Sequence, residues 1–440
     1  MKKILQSLAI GLLFFTLLFF YFSLSQAILL GIVAFLVTLW TNQGLPLGIV
    51  SLLPILLFPI FGILDVKEVV PNYSKSIIFL FLGGFMIALA MQKTNTHKFL
   101  SQKLLSFFPN TPTGIIYALM ITSAILSSFL SNTTITLMLM PIGLFLTTNN
   151  SLKTRFLIAI AYGASIGGII TPIGTPPNMI LLGFLEDMGI RPLTFGEWFF
   201  KVFPLAFLML LVVPFVLSRA VKSESLQSET KTNIVLNKDQ KRLLYILASL
   251  VVLLILNTPF KPYYNGLGLN EKLILLGYGI LMFLPKIGFL EWEDTRDIPY
   301  EIVFLFGAGF SIANAFMKTN LAVDLASKLD FITTLPFFWM LFVIALFVSF
   351  STEITSNTAL TSIALPVFYE FAKNMPGHEI TILMVATIAA SYAFMLPIAT
   401  PPNAIVMSSK IIKVKEMAKI GFFVNLIGVL FGSLVAYFWW

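Results

Sequence analysis

Residues 79–95 recur at residues 304–320 with 11 of 17 positions identical, an offset of 225. The two stretches open Phe79-Leu80-Phe81 and Phe304-Leu305-Phe306 and close Lys93-Thr94-Asn95 and Lys318-Thr319-Asn320. With no gap, the same offset aligns Ser131-Asn132-Thr133 with Ser356-Asn357-Thr358, Pro141 with Pro366, and Thr175-Pro176-Pro177-Asn178 with Thr400-Pro401-Pro402-Asn403. Shared apolar composition can imitate a loose repeat, but it does not reproduce two polar motifs at one spacing. A chain written as two copies of one unit is expected to fold as two related halves.

Each copy is too apolar for water. Of 440 residues, 58% are hydrophobic and 11% charged, against about 25% charged in soluble domains. That balance excludes a soluble globular enzyme and the disordered and collagen-like classes. The chain has no Cys, so a disulfide framework, a thiolate nucleophile and a Cys-built metal site are excluded as well. His97 and His378 are too few for a His-built zinc centre and read as interfacial residues without a role. The formal charge of +8 comes from 28 Lys and Arg spread along apolar sequence, a pattern that records membrane orientation rather than nucleic-acid binding. The fold class is an all-α polytopic membrane protein.

A helix needs about 20 apolar residues to cross the hydrocarbon core. That rule predicts 11 transmembrane helices near 6–23, 26–41, 45–63, 76–92, 155–185, 197–218, 242–258, 271–289, 300–317, 380–409 and 417–438. Met1-Lys2-Lys3 before an apolar run resembles a signal peptide, but no small-residue cleavage site is obvious. The start therefore reads as an anchor with its amino end inside. Residues 111–148 and 335–372 are nearly twice a span length and are broken by the Ser-Asn-Thr clusters, each after a short amphipathic stretch (94–106 and 319–330) suited to the interface. Two re-entrant hairpins fit this better than pairs of ordinary spans, because each arm is short.

With the amino terminus in the cytoplasm and no net crossing by the hairpins, 19 of the 28 basic residues fall inside. The linker-like stretch 219–241 then lies inside, and the carboxyl end, Phe438-Trp439-Trp440, outside. Five crossings separate equivalent points of the two copies. Five is odd, so the second copy is inverted. Inverted repeats with interrupted helices are the plan of secondary transporters, whose sites lie between the copies.

Four irregular segments break apolar sequence: the two Ser-Asn-Thr tips, Thr171–Asn178 and Leu396–Asn403. Pro172, Pro176 and Pro177, like Pro397, Pro401 and Pro402, forbid a continuous helix. Non-helical backbone at membrane depth is tolerated only inside protein or beside a wet cavity. The freed carbonyls and the Ser, Thr and Asn oxygens are hard, uncharged ligands suited to Na⁺. The helices restarting after each tip offer free N–H groups and partial positive charge to an anion, with Ser and Asn as good N-caps. No Lys, Arg or His lies in the four segments. A bound anion is then neutralised by cations and dipoles, which couples the two ligands. Taken singly, such a Ser or Thr more often bonds its own i−4 carbonyl or joins helices; recurrence as matched pairs favours a site. Glu353, whose counterpart is Ser128, reads as a helix-packing acid, although intramembrane acids are functional candidates. Gly83, Gly84, Gly307 and Gly309 read as close packing points.

At these motifs the chain resembles the divalent anion/sodium symporter family, the Na⁺-coupled dicarboxylate carriers. The paired tips, Phe81-Leu82-Gly83-Gly84-Phe85 and Ala399-Thr400-Pro401-Pro402-Asn403-Ala404-Ile405 carry the resemblance, which covers nearly the whole chain. It implies a homodimer in which a transport domain slides as an elevator along a scaffold. Residues 1–110 and 242–334 would be scaffold; 111–218 and 335–440 would form the transport domain. The resemblance implies a first sodium site of Ser127, Ser131, Asn132 and the Gly174 carbonyl, and a second of Thr352, Ser356, Asn357 and the Ala399 carbonyl. Substrate carboxylates would rest on Ser131, Asn132, Thr133, Ser356, Asn357 and Thr358, with Thr175, Pro176, Thr400 and Pro401 lining the pocket. Members that exchange dicarboxylates without sodium tend to place charged side chains in the ion sites, and none appears here.

The expectation is a bacterial inner-membrane symporter of C4-dicarboxylates such as succinate, malate or fumarate with at least two Na⁺. The alternatives are the same fold moving citrate or sulfate, or a dicarboxylate exchanger; a channel or a membrane enzyme fits less well. An enzyme is expected to show a His, a Cys or a carboxylate pair among the breaks, and there is none.

Overall fold

The computed structural model describes residues 1–219 and 235–440. Among these the chain forms twenty α-helices, three short 3-10 turns and no strand. The predicted linker 219–241 falls mostly outside the described residues; its end joins the helix Lys238–Asn257 through a capping box of Asn237 and Gln240.

Among the described residues, five helical stretches are long and apolar enough to cross a bilayer: Leu24–Asn42, Ser76–Lys93 with the short turns 66–74 before it, Phe195–Ser218, Tyr300–Lys318 and Val414–Trp439. Each contains a predicted crossing. Elsewhere helix and prediction differ in length. Residues 45–63 hold a 14-residue helix, Leu47–Ile60. Residues 271–289 hold only 11 helical residues, Glu271–Leu281, about 16 Å at 1.5 Å per residue. The chain then doubles back, with the Phe289 and Leu290 N–H groups both donating to the Met282 carbonyl. The amino-terminal helix Lys2–Leu18 leaves Leu5, Leu8, Leu12, Leu13 and Leu17 exposed, the outward face expected of a helix bathed in lipid.

Each double-length stretch folds as two helices across a four-residue turn. Pro112–Ser127 packs on Asn132–Phe145, and Phe337–Thr352 on Asn357–Ala372. At 14 to 16 residues, no arm is longer than about 24 Å, short of the roughly 30 Å hydrocarbon thickness. The predicted crossings 155–185 and 380–409 are each two helices: Asn150–Gly168 with Pro176–Asp187, and Glu379–Ala390 with Pro401–Ser408. The breaks fall at the proline clusters. The amphipathic stretches are short helices, Thr96–Leu105 and Leu321–Ser327, entered through left-handed Asn95 (φ 55°) and Asn320 (φ 57°).

The first halves of the broken helices are deeply buried: every residue from Phe156 to Gly168 is buried, as is Thr381–Ala390. The first hairpin meets its broken helix backbone to backbone, since a β-carbon on Gly163 would stand 2.4 Å from the Met120 carbonyl and one on Gly167 2.2 Å from that of Ala124. A second core joins Leu24–Asn42, Leu47–Ile60 and Tyr300–Lys318 through Leu36, Phe58, Ile312 and Phe316.

Candidate substrate and ion site

All four irregular segments border one cavity of about 1030 Å³. Ser131, Asn132, Thr133, Gly174, Thr175 and Pro176 line it from the first copy, and Ser356, Asn357, Thr358, Ala399, Thr400 and Pro401 from the second. Every residue expected to touch substrate is therefore on its wall. Ser127 and Thr352 lie just behind, fully buried. The Ser127 hydroxyl donates to Asn132 Oδ1 at 2.5 Å and the Thr352 hydroxyl to Asn357 Oδ1 at 2.6 Å, so each fixes the rotamer of the neighbouring amide.

Four helices begin at this cavity, at Asn132, Pro176, Asn357 and Pro401. Ser131 and Ser356 occupy the N-cap positions of two of them, but neither side chain makes the capping bond. The capping role expected of these serines is thus not realised. Their backbone is extended (ψ 131° in both), and their hydroxyls make no hydrogen bond among the described residues. Both serines line the cavity, and without a side-chain cap the first-turn N–H groups of the two helices stay free beside it.

The broken segments are held by side-chain amides. Asn178 Nδ2 donates to the carbonyls of Gly168 (3.1 Å) and Thr171 (2.8 Å); Asn403 Nδ2 donates to those of Ala393 (3.0 Å) and Leu396 (3.1 Å). Both Asn side chains are fully buried. They satisfy carbonyls that the prolines deprive of helical partners. Gly168 packs closely on the first tip: a β-carbon there would stand 3.1 Å from both Asn132 amide atoms, Oδ1 and Nδ2, and 3.3 Å from the Gly174 carbonyl oxygen. Among the described residues no group of three or more His, Cys, Asp and Glu gathers as a metal site.

Several site residues were not legible in the motifs. Trp198 is fully buried and its indole donates to the Ile169 carbonyl (2.9 Å), pinning the first break. The Thr171 hydroxyl donates to the Ser128 carbonyl. The second break is pinned differently: Tyr162 donates to the Phe394 carbonyl (2.6 Å), and Glu353 accepts from the backbone of Met395 and Leu396. Glu353 therefore binds unwound backbone as well as packing helices. A far wall comes from Trp40, Thr41, Leu47, Gly84 and Leu305. Gly84 is thus a cavity residue, against expectation, whereas Gly83 is a packing point, its β-carbon position 2.3 Å from the Leu275 carbonyl. Gly307 and Gly309 also pack closely, against Tyr73 and Ser362. His97 is buried, its Nδ1 2.9 Å from the Met91 carbonyl, which gives it a local structural bond. The charged cavity residue is Glu301; no Lys, Arg or His lines the space among the described residues.

Comparison with known proteins follows the same lines. A family model described as citrate transporter matches residues 32–390. The sodium-dependent dicarboxylate transporter SdcS of Staphylococcus saprophyticus is 31% identical, over 93% of this chain and 85% of its own. SdcS of Staphylococcus aureus strain USA300 is 30% identical over 99% and 91%. Among solved structures, the YdaH transporter of Alcanivorax borkumensis superposes with a TM-score of 0.56 at 13% identity, covering 84% of this chain and 87% of that one. MtrF of Neisseria gonorrhoeae, from a class of antimetabolite efflux pumps, gives 0.57 at 14% identity over 85% and 83%; at such identities the likeness is one of fold. A cavity walled by paired polar breaks, a family match over most of the chain and the resemblance to the divalent anion/sodium symporters converge: the chain belongs to the citrate transporter family, and it is an integral membrane transporter, not an enzyme.

Proposed function

We propose that the protein is a secondary transporter that carries C4-dicarboxylates across a bacterial inner membrane by symport with at least two Na⁺. The observation that carries this reading is the cavity itself, which gathers both copies of both motifs and has no basic side chain among the described residues. Two carboxylates would be met by the free amino ends at Asn132 and Asn357 and by a sodium ion behind each. The first ion would use Ser127, Ser131, Asn132 and Gly174, the second Thr352, Ser356, Asn357 and Ala399. Neither anion nor cation is then stable without the other, which is the coupling. The names of the SdcS relatives support sodium and dicarboxylate alike. Citrate is the second reading, from the family description, with sulfate as a further anion. A third carboxylate would find no cation on the wall and would face Glu301, which favours the dicarboxylate.

The test is succinate uptake into proteoliposomes under an inward Na⁺ gradient, with K⁺ or H⁺ gradients as controls and citrate and sulfate as competitors. Sodium-driven accumulation is the expected result. Uptake indifferent to Na⁺ would overturn symport and leave exchange, and stronger competition by citrate than by malate would move the substrate to tricarboxylates.

The two-copy repeat is supported by bonds that recur 225 residues apart: Ser127 to Asn132 and Thr352 to Asn357, and the amide pairs made by Asn178 and Asn403. Exchange between the copies supports it too, since Lys93 pairs with Asp294 and Lys318 with Glu68, both at 2.6 Å. With the amino end inside and the carboxyl end outside, the cavity opens inward past Thr41 and Glu301. The outward side is shut by Lys75 with Asp187 and by Lys272 with Glu186, which tie the proposed scaffold to the proposed transport domain. An elevator motion within a homodimer must part these pairs in every cycle. Partly exposed pairs contribute about 0–1 kcal/mol each. Glu186→Gln with Asp187→Asn should therefore move the population toward the outward-open state by at most about thirtyfold. Labelling of a single Thr41→Cys in this cysteine-free chain would read it: a fall is expected, and unchanged labelling would argue against the latch.

A further inference from the structure

We propose that Glu353 is a positioning residue for the second sodium seat, its buried carboxylate setting the shape of the unwound backbone that leads to the Ala399 carbonyl. The inference rests on the sodium-coupled reading above and adds to it a residue outside both ion sites.

Glu353 follows Thr352 in the turn of the second hairpin and is 3% exposed. One carboxylate oxygen accepts from the Met395 N–H (2.8 Å) and from Asn425 Nδ2 (2.7 Å); the other accepts from the Leu396 N–H (2.9 Å). Asn425, fully buried on the last helix, accepts in turn from the Phe394 N–H at 3.2 Å. Three successive backbone donors of the break are thus tied to one acid and its amide partner. Every partner of the carboxyl group is a donor. Unwound backbone inside a membrane protein has to find such partners. Asn403 holds the carbonyl side of the same turn at Ala393 and Leu396. Donors and acceptors of the loop are therefore both fixed just before Pro397 and Ala399.

The first copy solves the same problem without charge. Ser128 stands at the position equivalent to Glu353 and Thr171 at that of Leu396, and the link runs the other way, from the Thr171 hydroxyl to the Ser128 carbonyl. The position equivalent to Gly168 is Ala393, so the second copy also carries a methyl group where the first has none. The two seats are consequently unequal. The second has a fixed carboxylate one residue from Thr352, whose hydroxyl orients Asn357, and it is the seat whose backbone depends on that carboxylate.

The experiment is sodium-dependent succinate uptake by Glu353→Gln. Gln keeps the volume, but its amide nitrogen cannot accept the bonds the carboxylate accepts. The sodium concentration for half-maximal uptake should rise at least about tenfold, the range seen when groups that orient metal ligands are removed. The maximal rate at saturating sodium and the succinate KM measured there should stay within about threefold. Ser128→Ala, which keeps the carbonyl used in the first copy, should retain the parent sodium dependence. Should Glu353→Gln not fold, Asn425→Ala reads the same shift at about threefold, since Glu353 keeps its two backbone partners. Parent-like sodium dependence in the folded variant, or a lost maximal rate with unchanged sodium dependence, overturns the proposal while the symport reading stands. Sodium-indifferent uptake by the parent protein overturns both.

Discussion

Asn132→Ala and Asn357→Ala should each reduce sodium-driven succinate uptake by about two orders of magnitude or more while leaving the melting temperature close to that of the parent. The amide of Asn132 does two things at once. Its oxygen is held by Ser127, and it packs, with the Gly174 carbonyl, over Gly168. Its backbone N–H also belongs to the free helix start that would meet a carboxylate. Asn357 repeats the arrangement with Thr352. Losing an ion ligand costs more than losing a group that merely orients one, where tenfold to a hundredfold is usual. Because ion and substrate bind interdependently, one lost seat is felt by both. Stability should change little, since both side chains are only half buried at the cavity wall. Uptake and thermal unfolding of the purified variants, with and without sodium, check this. Transport at the parent rate by either variant would remove the residue from the site.

Gly167→Val should prevent the protein from folding. The β-carbon alone would lie 2.2 Å from the Ala124 carbonyl oxygen and 2.5 Å from its Cα. These are backbone atoms of a helix packed on both sides, so no side chain can swing away to make room. Overpacking of a core typically costs about 1–3 kcal/mol and more when backbone must move; a branched residue here belongs at or above the upper end. Yield of monodisperse protein in size-exclusion chromatography should fall by at least about tenfold, given that each 1.4 kcal/mol is a factor of ten in an equilibrium. Ala in place of Gly84, by contrast, meets nothing closer than 3.7 Å and should fold normally. A well-folded Gly167→Val would mean that the first hairpin and its broken helix do not pack as described.

Much of this was legible from local sequence. Prolines 172, 176, 177, 397, 401 and 402 cluster just after an apolar helical run, where missing N–H groups stop one helix and start the next, and the breaks lie there. The Ser-Asn-Thr clusters are polar in sequence that is otherwise apolar, and all of them line the cavity. The Gly163–Gly167 spacing is the small-residue pattern of tightly packed membrane helices, and both glycines stand against helix backbone. Helix lengths were less legible. In a membrane protein, faces toward lipid and toward neighbours are both apolar, so periodicity loses its power to mark an end. Residues 282–289 are apolar enough to extend a helix, yet they turn back on Met282.

What the sequence by itself determined is the class of molecule, an apolar all-helical chain of two matched halves, and the place of its two clustered-proline breaks, because hydrocarbon burial and the missing proline N–H act residue by residue. What only the tertiary structure decided is which stops meet. Glu353 finds Asn425 on the last helix, Trp198 finds Ile169, and Trp40, Leu47 and Leu305 join the two hairpins in lining one cavity. Those pairings depend on how rigid helices pack across long stretches of chain, and an unpaired polar group in an apolar interior costs enough to select the one packing that satisfies it.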